Sequence, residues 1–179
     1  MPHLTVVVPV FNSERTIGPL VETLFEALVG VDLEVVLVND GSRDGSEAAC
    51  TALTRRFGRV RFVSLRRNFG EFNAVLCGLN YARGRFCALI DDDFQNPPGE
   101  ILKLLHAAET GGYDVVYSAY SEKKHGFFRN AGSWLVNRLT TWLLAKPRDL
   151  YLSSFKLIRR EVVDEITRYR GPYPYIDGL

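Results

Sequence analysis

Short β-branched runs alternate along the chain with longer stretches whose apolar residues recur every three or four positions. Leu4–Val10 reads Leu-Thr-Val-Val-Val-Pro-Val, the pattern of a parallel strand buried on both faces. Pro9 belongs near the C-terminal end of that strand, because proline has no N–H for a central ladder. Ile17, Leu20, Val21, Leu24, Phe25 and Leu28 then mark one helical stripe, with Ser13 as its expected cap. A second strand, Leu33–Val38, ends in Asn39-Asp40-Gly41-Ser42. Gly41 supplies a turn there, and Ser42 or Asp44 caps a helix running to about Phe57. A third strand, Val60–Leu65, leads through Arg66-Arg67-Asn68-Phe69-Gly70 into a helix that buries Phe72, Val75, Leu76, Cys77 and Leu79. Phe86–Ile90 is a fourth strand. Pro97-Pro98 opens the helix after it, with Glu100 in the first turn and Ile101, Leu104, Leu105 and Ala108 on the inner face. Tyr113–Ser118 is a fifth strand.

The order β-α-β-α-β-α-β-α-β predicts an α/β fold, a mostly parallel, doubly wound sheet flanked by helices. Ligands of such sheets sit at the carboxyl ends of the strands. Polar residues gather at those ends here: Asn12 and Glu14, then Asp40, then Arg67 and Asn68, then Asp91 and Asp93. After Ser118 the pattern changes. Glu122-Lys123-Lys124-His125-Gly126 is polar, Phe127–Ala145 is apolar and helical in pattern, Ser153–Ile158 is a candidate strand returning to the sheet, and Arg160–Tyr169 is a short helix.

Composition narrows the classes. The chain has 179 residues, 46% hydrophobic and 24% charged, as expected of one globular domain. A formal net charge of +1 argues against a nucleic-acid binder, which would need a clearly basic face or tail. Cys50, Cys77 and Cys87 show no Cys-x-x-Cys spacing and read as core thiols, not a disulfide framework. The N-terminus lacks a signal-peptide pattern, and no apolar run reaches the ~18–20 residues of a membrane span. The C-terminal stretch Tyr169–Leu179 is rich in turn formers and does not read as a terminal cap, so a longer natural protein is expected.

The main candidate for chemistry is Asp91-Asp92-Asp93-Phe94-Gln95-Asn96-Pro97-Pro98, three carboxylates delivered by an apolar strand. Crowded carboxylates repel one another and resist desolvation, and a divalent cation relieves both penalties. An all-oxygen set suits Mg²⁺ or Mn²⁺, with a diphosphate supplying further oxygens. If the backbone stays extended, Asp91, Asp93 and Gln95 share one face and Asp92 takes the other, toward a neighbouring loop or the nucleotide. A solvated acidic turn is the plainer alternative. Asp40 can accept from a ribose or base edge, or serve an ordinary turn. Arg67 and Asn68 face phosphate or base, or are surface groups. No Gly-x-Gly-x-x-Gly run follows Val10, and no phosphate-loop Gly-Lys-Ser/Thr occurs.

Taken in order, Val8–Glu14, Val38–Ser42, Arg67–Gly70 and Asp91–Pro98 resemble the motifs of the family 2 inverting glycosyltransferases, which have the GT-A fold. Phe128-Arg129, Asn137-Arg138-Leu139, Ser154–Arg160 and Tyr175–Leu179 are similar to its polyprenyl-phosphate branch. The resemblance covers essentially the whole chain. It implies metal-dependent, inverting transfer of a sugar from a nucleoside diphosphate sugar, with UDP the default, to a polyprenyl phosphate. It also implies that Pro9, Phe11, Glu14, Asp40, Asn68 and Asp92 serve the nucleotide, and that Asp91, Asp93 and Gln95 hold Mg²⁺ or Mn²⁺. Asp91, Asp93 and Arg129 would be catalytic, with Arg129 and the Ser154–Arg160 region on the acceptor-phosphate side. Residues 1–118 would bind the donor and residues 119–179 the acceptor. The full-length protein would work at the cytoplasmic face of the membrane, without nucleic acid, and as a possible homo-oligomer.

Some positions depart from the family pattern. Asp92 stands where alanine is common, Asn39 where aspartate is frequent, Glu71 where glutamine is common, and Tyr120 where phosphate-accepting relatives often place arginine. Lys123, Lys124 or Arg129 are candidates to supply that charge. Two other readings are a transferase acting on a saccharide hydroxyl, for which Asp149 is a candidate base, and a non-catalytic nucleotide-sugar-binding domain.

Overall fold

Leu4–Val10 forms strand β1, and the sheet extends from it in both directions. The structure is a computed structural model, and the residues it describes are 1–118 and 153–178. On one side of β1 lie β2 (Leu33–Asn39) and β3 (Val60–Ser64). On the other lies β4 (Phe86–Leu89). Two further strands, β5 (Val115–Tyr117) and β6 (Lys156–Arg159), complete the order β3-β2-β1-β4-β6-β5. β1 to β4 are mutually parallel, as expected, and β6 runs antiparallel to β4 and to β5. The expected returning strand therefore inserts between β4 and β5, leaving β5 at the edge.

Among the described residues, five helices cover the two faces: α1 (Ile17–Ala27), α2 (Ser46–Arg56), α3 (Glu71–Tyr81), α4 (Glu100–Gly111) and α5 (Arg160–Ile166). Side-chain alternation along β1 sorts the core. Leu4, Val6, Val8 and Val10 pack with Ile17, Leu20 and Leu24 of α1, Cys50 and Leu53 of α2, and Ile101 and Leu105 of α4. Val7 faces the other way, toward Ala74, Val75 and Leu79 of α3 and Val163 and Ile166 of α5. Gly78 lets α3 approach closely, since a Cβ there would strike the Val7 side chain.

Pro9 decides where the sheet opens. β1 and β4 stay in register from Leu4–Phe86 to Val7–Leu89, and Ile90 donates its N–H to the Val7 carbonyl at 3.2 Å. The next bond of a parallel ladder would need an N–H from Pro9, which has none. β1 continues alongside β2 as far as Val10–Asn39, while β4 departs. The crevice lies between β1 and β4, where the strand order reverses direction in the chain.

Candidate functional site

Two cavities occupy that crevice. One, of about 350 Å³, is lined by Pro9, Val10, Phe11, Asp40, Asn68, Glu71, Asp91, Asp92 and Asp93. Its neighbour, of about 210 Å³, shares Pro9, Glu71 and Asp91, and reaches Phe72, Ser154, Lys156 and the Tyr175–Asp177 segment. Strand ends far apart in sequence therefore meet in one place, as their polar residues predicted.

Asp40 is 3% exposed at the end of β2. Its two carboxylate oxygens accept the backbone N–H groups of Phe69 and Gly70 at 2.7 and 2.8 Å. It thereby fastens the loop between β3 and α3, and sets Asn68 on the cleft wall. Gly41 lets the two loops touch: its φ is +67°, and a Cβ there would lie 2.5 Å from the Arg67 carbonyl carbon and the Asn68 nitrogen.

The β1–α1 loop is laced to the β2–α2 loop. Asn12 donates its N–H to Ser42 Oγ at 3.0 Å and accepts the Arg43 N–H at 2.9 Å. Ser13 donates its N–H to Ser46 Oγ at 2.7 Å, and Glu14 donates its N–H to Asp44 at 3.1 Å. The Glu14 carboxylate accepts the Gly45 N–H at 2.7 Å. Glu14 sits at the junction of these two loops and is not among the residues lining the two cavities. Ser13 does not cap α1 with its side chain; its hydroxyl donates to the Phe11 carbonyl and to Asp92, and its carbonyl accepts the Thr16 and Ile17 N–H groups. At α2 it is Asp44, not Ser42, that meets the helix start. Asp44 accepts from the Ser46 N–H and hydroxyl, and the hydroxyl bond leads in holding its carboxyl below the ordinary range.

The acid run does not remain extended. Residues 92–96 form a turn and bend, with Phe94 at φ +61°. The strand-like alternation that would group Asp91, Asp93 and Gln95 therefore fails beyond Asp91, since side chains in a turn do not follow a two-residue period. Asp92 reaches the neighbouring loop, accepting from the Ser13 hydroxyl and, at 3.4 Å, from the Phe11 N–H. Burial pushes its carboxyl up, against the lowering effect of those two bonds, and Asp93 and Asp91 add to the rise. Asp91 accepts from the Ser154 hydroxyl at 2.6 Å. Asp93 accepts the Gln95 N–H within its own turn, at 3.0 Å, and both residues are exposed.

Among the described residues, no three His, Cys, Asp or Glu side chains are grouped as a metal cage. The donor chemistry still fits a divalent ion held jointly with a diphosphate. Asp91 accepts the Ser154 hydroxyl and Asp93 the Gln95 N–H, each through one oxygen, and Gln95 is exposed. Arg129, Tyr120, Lys123, Lys124, His125, Asp149 and the expected helix 127–145 lie outside the described residues.

Spacing rules did not reveal the polar floor of the smaller cavity. Lys156, 3% exposed, is ion-paired with Asp177, and its ammonium sits 5.1 Å from the Tyr117 ring centre. The Tyr117 hydroxyl donates to Asp177 at 3.1 Å, and burial followed by the Asp177 charge pushes its ionisation up. Phe72 and Tyr175 close the rim edge to face, 5.4 Å apart. The nearest sequence signal was the match of Tyr175–Leu179 to a known motif, which named no partner.

Known proteins place this architecture. An undecaprenyl-phosphate 4-deoxy-4-formamido-L-arabinose transferase of Enterobacter sp. (strain 638) is 34% identical over 164 residues, covering 90% of this chain and 50% of the relative. A dodecaprenyl-phosphate galacturonate synthase of Rhizobium johnstonii is 34% identical over 168 residues, with coverage of 92% and 50%. The chain thus spans about half the length of the curated relatives it matches. Glucosyl-3-phosphoglycerate synthase from Mycobacterium tuberculosis, crystallised with Mn²⁺, UDP-glucose and phosphoglyceric acid, superposes with a TM-score of 0.70 at 22% identity, covering 90% of this chain and 57% of that one. That likeness shows the GT-A fold. The model of the family described as Glycosyl transferase family 2 matches residues 5–167, from β1 through α5, and the chain belongs to that family.

Proposed function

We propose that this chain carries the catalytic domain of an inverting glycosyltransferase that moves a sugar from a nucleoside diphosphate, UDP by default, to a polyprenyl phosphate. The observation that carries the reading is the pair of carboxylates at the end of β4. Asp91 and Asp93 stand at the mouth of a cleft, each accepting through one oxygen from a single residue, Ser154 or Gln95, among the bonds of the described residues, whereas Asp40 and Asp92 are engaged in holding loops. In this reading Asp91, Asp93 and Gln95 hold Mg²⁺ or Mn²⁺. A divalent ion there offsets the charge that develops on a departing diphosphate.

The remaining chain positions the donor. Pro9, Phe11 and Asn68 offer the cleft wall for the nucleoside. Asp40 and Asp92 act on the nucleotide through the loops they fix. An acceptor phosphate is already ionised, so none of the carboxylates has to remove a proton from it. Arg129 and the segment around Ser154 are assigned to the acceptor side, with residues 1–118 serving the donor and 119–179 the acceptor. Ser154, bonded to Asp91, lies where the two would meet. The acceptor named for the two curated relatives supports the lipid-phosphate assignment and, with it, work at the cytoplasmic face of the membrane. Among the described residues no helix is long and apolar enough to cross a membrane.

The test is transfer by the full-length protein in membranes, given a panel of UDP- and GDP-sugars, Mn²⁺ or Mg²⁺, and polyprenyl phosphate. Metal-dependent product on the lipid, lost in Asp93→Ala, is the expected result. Transfer to a saccharide hydroxyl alone would overturn the acceptor assignment.

A further inference from the structure

The carboxylates lining the crevice differ in one respect. Asp40 accepts two backbone N–H groups, Asp91 the Ser154 hydroxyl, Asp92 the Ser13 hydroxyl, Asp93 the Gln95 N–H, and Asp177 both Lys156 and Tyr117. Glu71 makes no hydrogen bond or ion pair with any described residue, yet it lines both cavities. It is the first residue of α3, directly after the Gly70 N–H that Asp40 holds, so its backbone position is fixed by a buried contact. Lys156 is the one cation lining either cavity among the described residues, and Asp177 already neutralises it.

We infer that Glu71 is a specificity-determining residue for the transferred sugar. It accepts hydrogen bonds from hydroxyl or amino groups of a neutral or cationic sugar, and it disfavours a sugar that carries a carboxylate. The assignment rests on the nucleotide-sugar reading above. A donor whose diphosphate lies at Asp91 and Asp93 places its sugar beside the wall that the two cavities share, and Glu71 is the carboxylate on that wall that no described residue engages. A glutamine would offer the same length and one acceptor without the charge, so the glutamate adds a selection by sign. Partial burial, followed by the Asp91 charge, pushes the Glu71 carboxyl above its ordinary range; Lys156 opposes the rise, and Asp92 and Asp93 add to it.

The experiment is calorimetric titration of the 179-residue chain with UDP, UDP-glucose and UDP-glucuronate in the presence of Mn²⁺. UDP-glucose is expected to bind about tenfold more tightly than UDP-glucuronate, the scale of one like-charge repulsion in a solvent-accessible cleft. Glu71→Gln brings that ratio toward unity, and Glu71→Lys inverts it. The ratio is the readout because a general loss of nucleotide affinity leaves it unmoved. Binding of UDP with the same ratio in wild type and Glu71→Gln would overturn the Glu71 assignment alone. Failure of UDP itself to bind would overturn the nucleotide-sugar reading and this assignment with it.

Discussion

The two sides of the crevice use the same side chains in opposite ways. On the β1–β2 side, Glu14, Asp40 and Asp44 are all engaged with backbone N–H groups, and three loops are fastened to one another. On the β4 side, among the bonds of the described residues, Asp93 accepts the Gln95 N–H of its own turn and Asp91 a serine hydroxyl. A carboxylate that accepts several backbone N–H groups has its charge solvated by the protein and is a poor choice for a metal. One left with free oxygens beside other acids is costly until a cation arrives. Asp92 stands between the cases: it belongs to the acid run by sequence and to the loop scaffold by contact. The difference separates holding residues from binding residues where residue type alone does not.

The contrast can be broken from either side. The largest effect is expected on the open side. Asp93→Ala should lower transfer by roughly a thousandfold, the loss of several kcal/mol of charge stabilisation, and leave the melting temperature nearly unchanged because the residue is exposed. Steady-state rates and thermal melts on the same preparation check both halves. The fastened side should behave in reverse. Asp40→Ala strands two backbone N–H groups and should cost about 2–3 kcal/mol of stability, measured by urea unfolding. A smaller effect is expected at Glu71, where pH sharpens the comparison. Its folded-state ionisation is raised above the ordinary 4.5, so the folded protein holds that proton more tightly than the unfolded chain. Stability from this group is therefore present below pH 4.5 and is lost as pH rises through the raised value. Relative to Glu71→Gln, the wild type should become less stable across that window by less than about 1 kcal/mol, given solvent screening. An unchanged difference across the window would remove Glu71 from the acidic wall.

Much of the scaffold could be read from the sequence because its signals are local. The strand Leu4–Val10 matches its expected bounds, and the stripe from Ile17 to Leu28 packs on the sheet as its spacing requires. Pro9 was placed near the strand end by its lack of an N–H, and that same lack ends the β1–β4 ladder. The acid turn was readable in composition but not in shape. The two-residue period holds only while the backbone is extended, and Phe94 leaves that region with a positive φ. The insertion of β6 between β4 and β5 depends on pairing across a long intervening segment, which no local pattern encodes. The Lys156–Asp177–Tyr117 cluster was illegible for the same reason, since its members lie 21 and 60 residues apart along the chain. Ser13 had the right residue type for a cap, but its hydroxyl is taken by the Phe11 carbonyl and Asp92.

The most direct test of the central claim is Mn²⁺ binding itself, followed by electron paramagnetic resonance with UDP present, in wild type, Asp93→Asn and Asp40→Asn. The account predicts a nucleotide-dependent Mn²⁺ signal that Asp93→Asn abolishes, and that Asp40→Asn weakens only through the loop it holds. Mn²⁺ bound with undiminished affinity by Asp93→Asn, or lost only in Asp40→Asn, would contradict it.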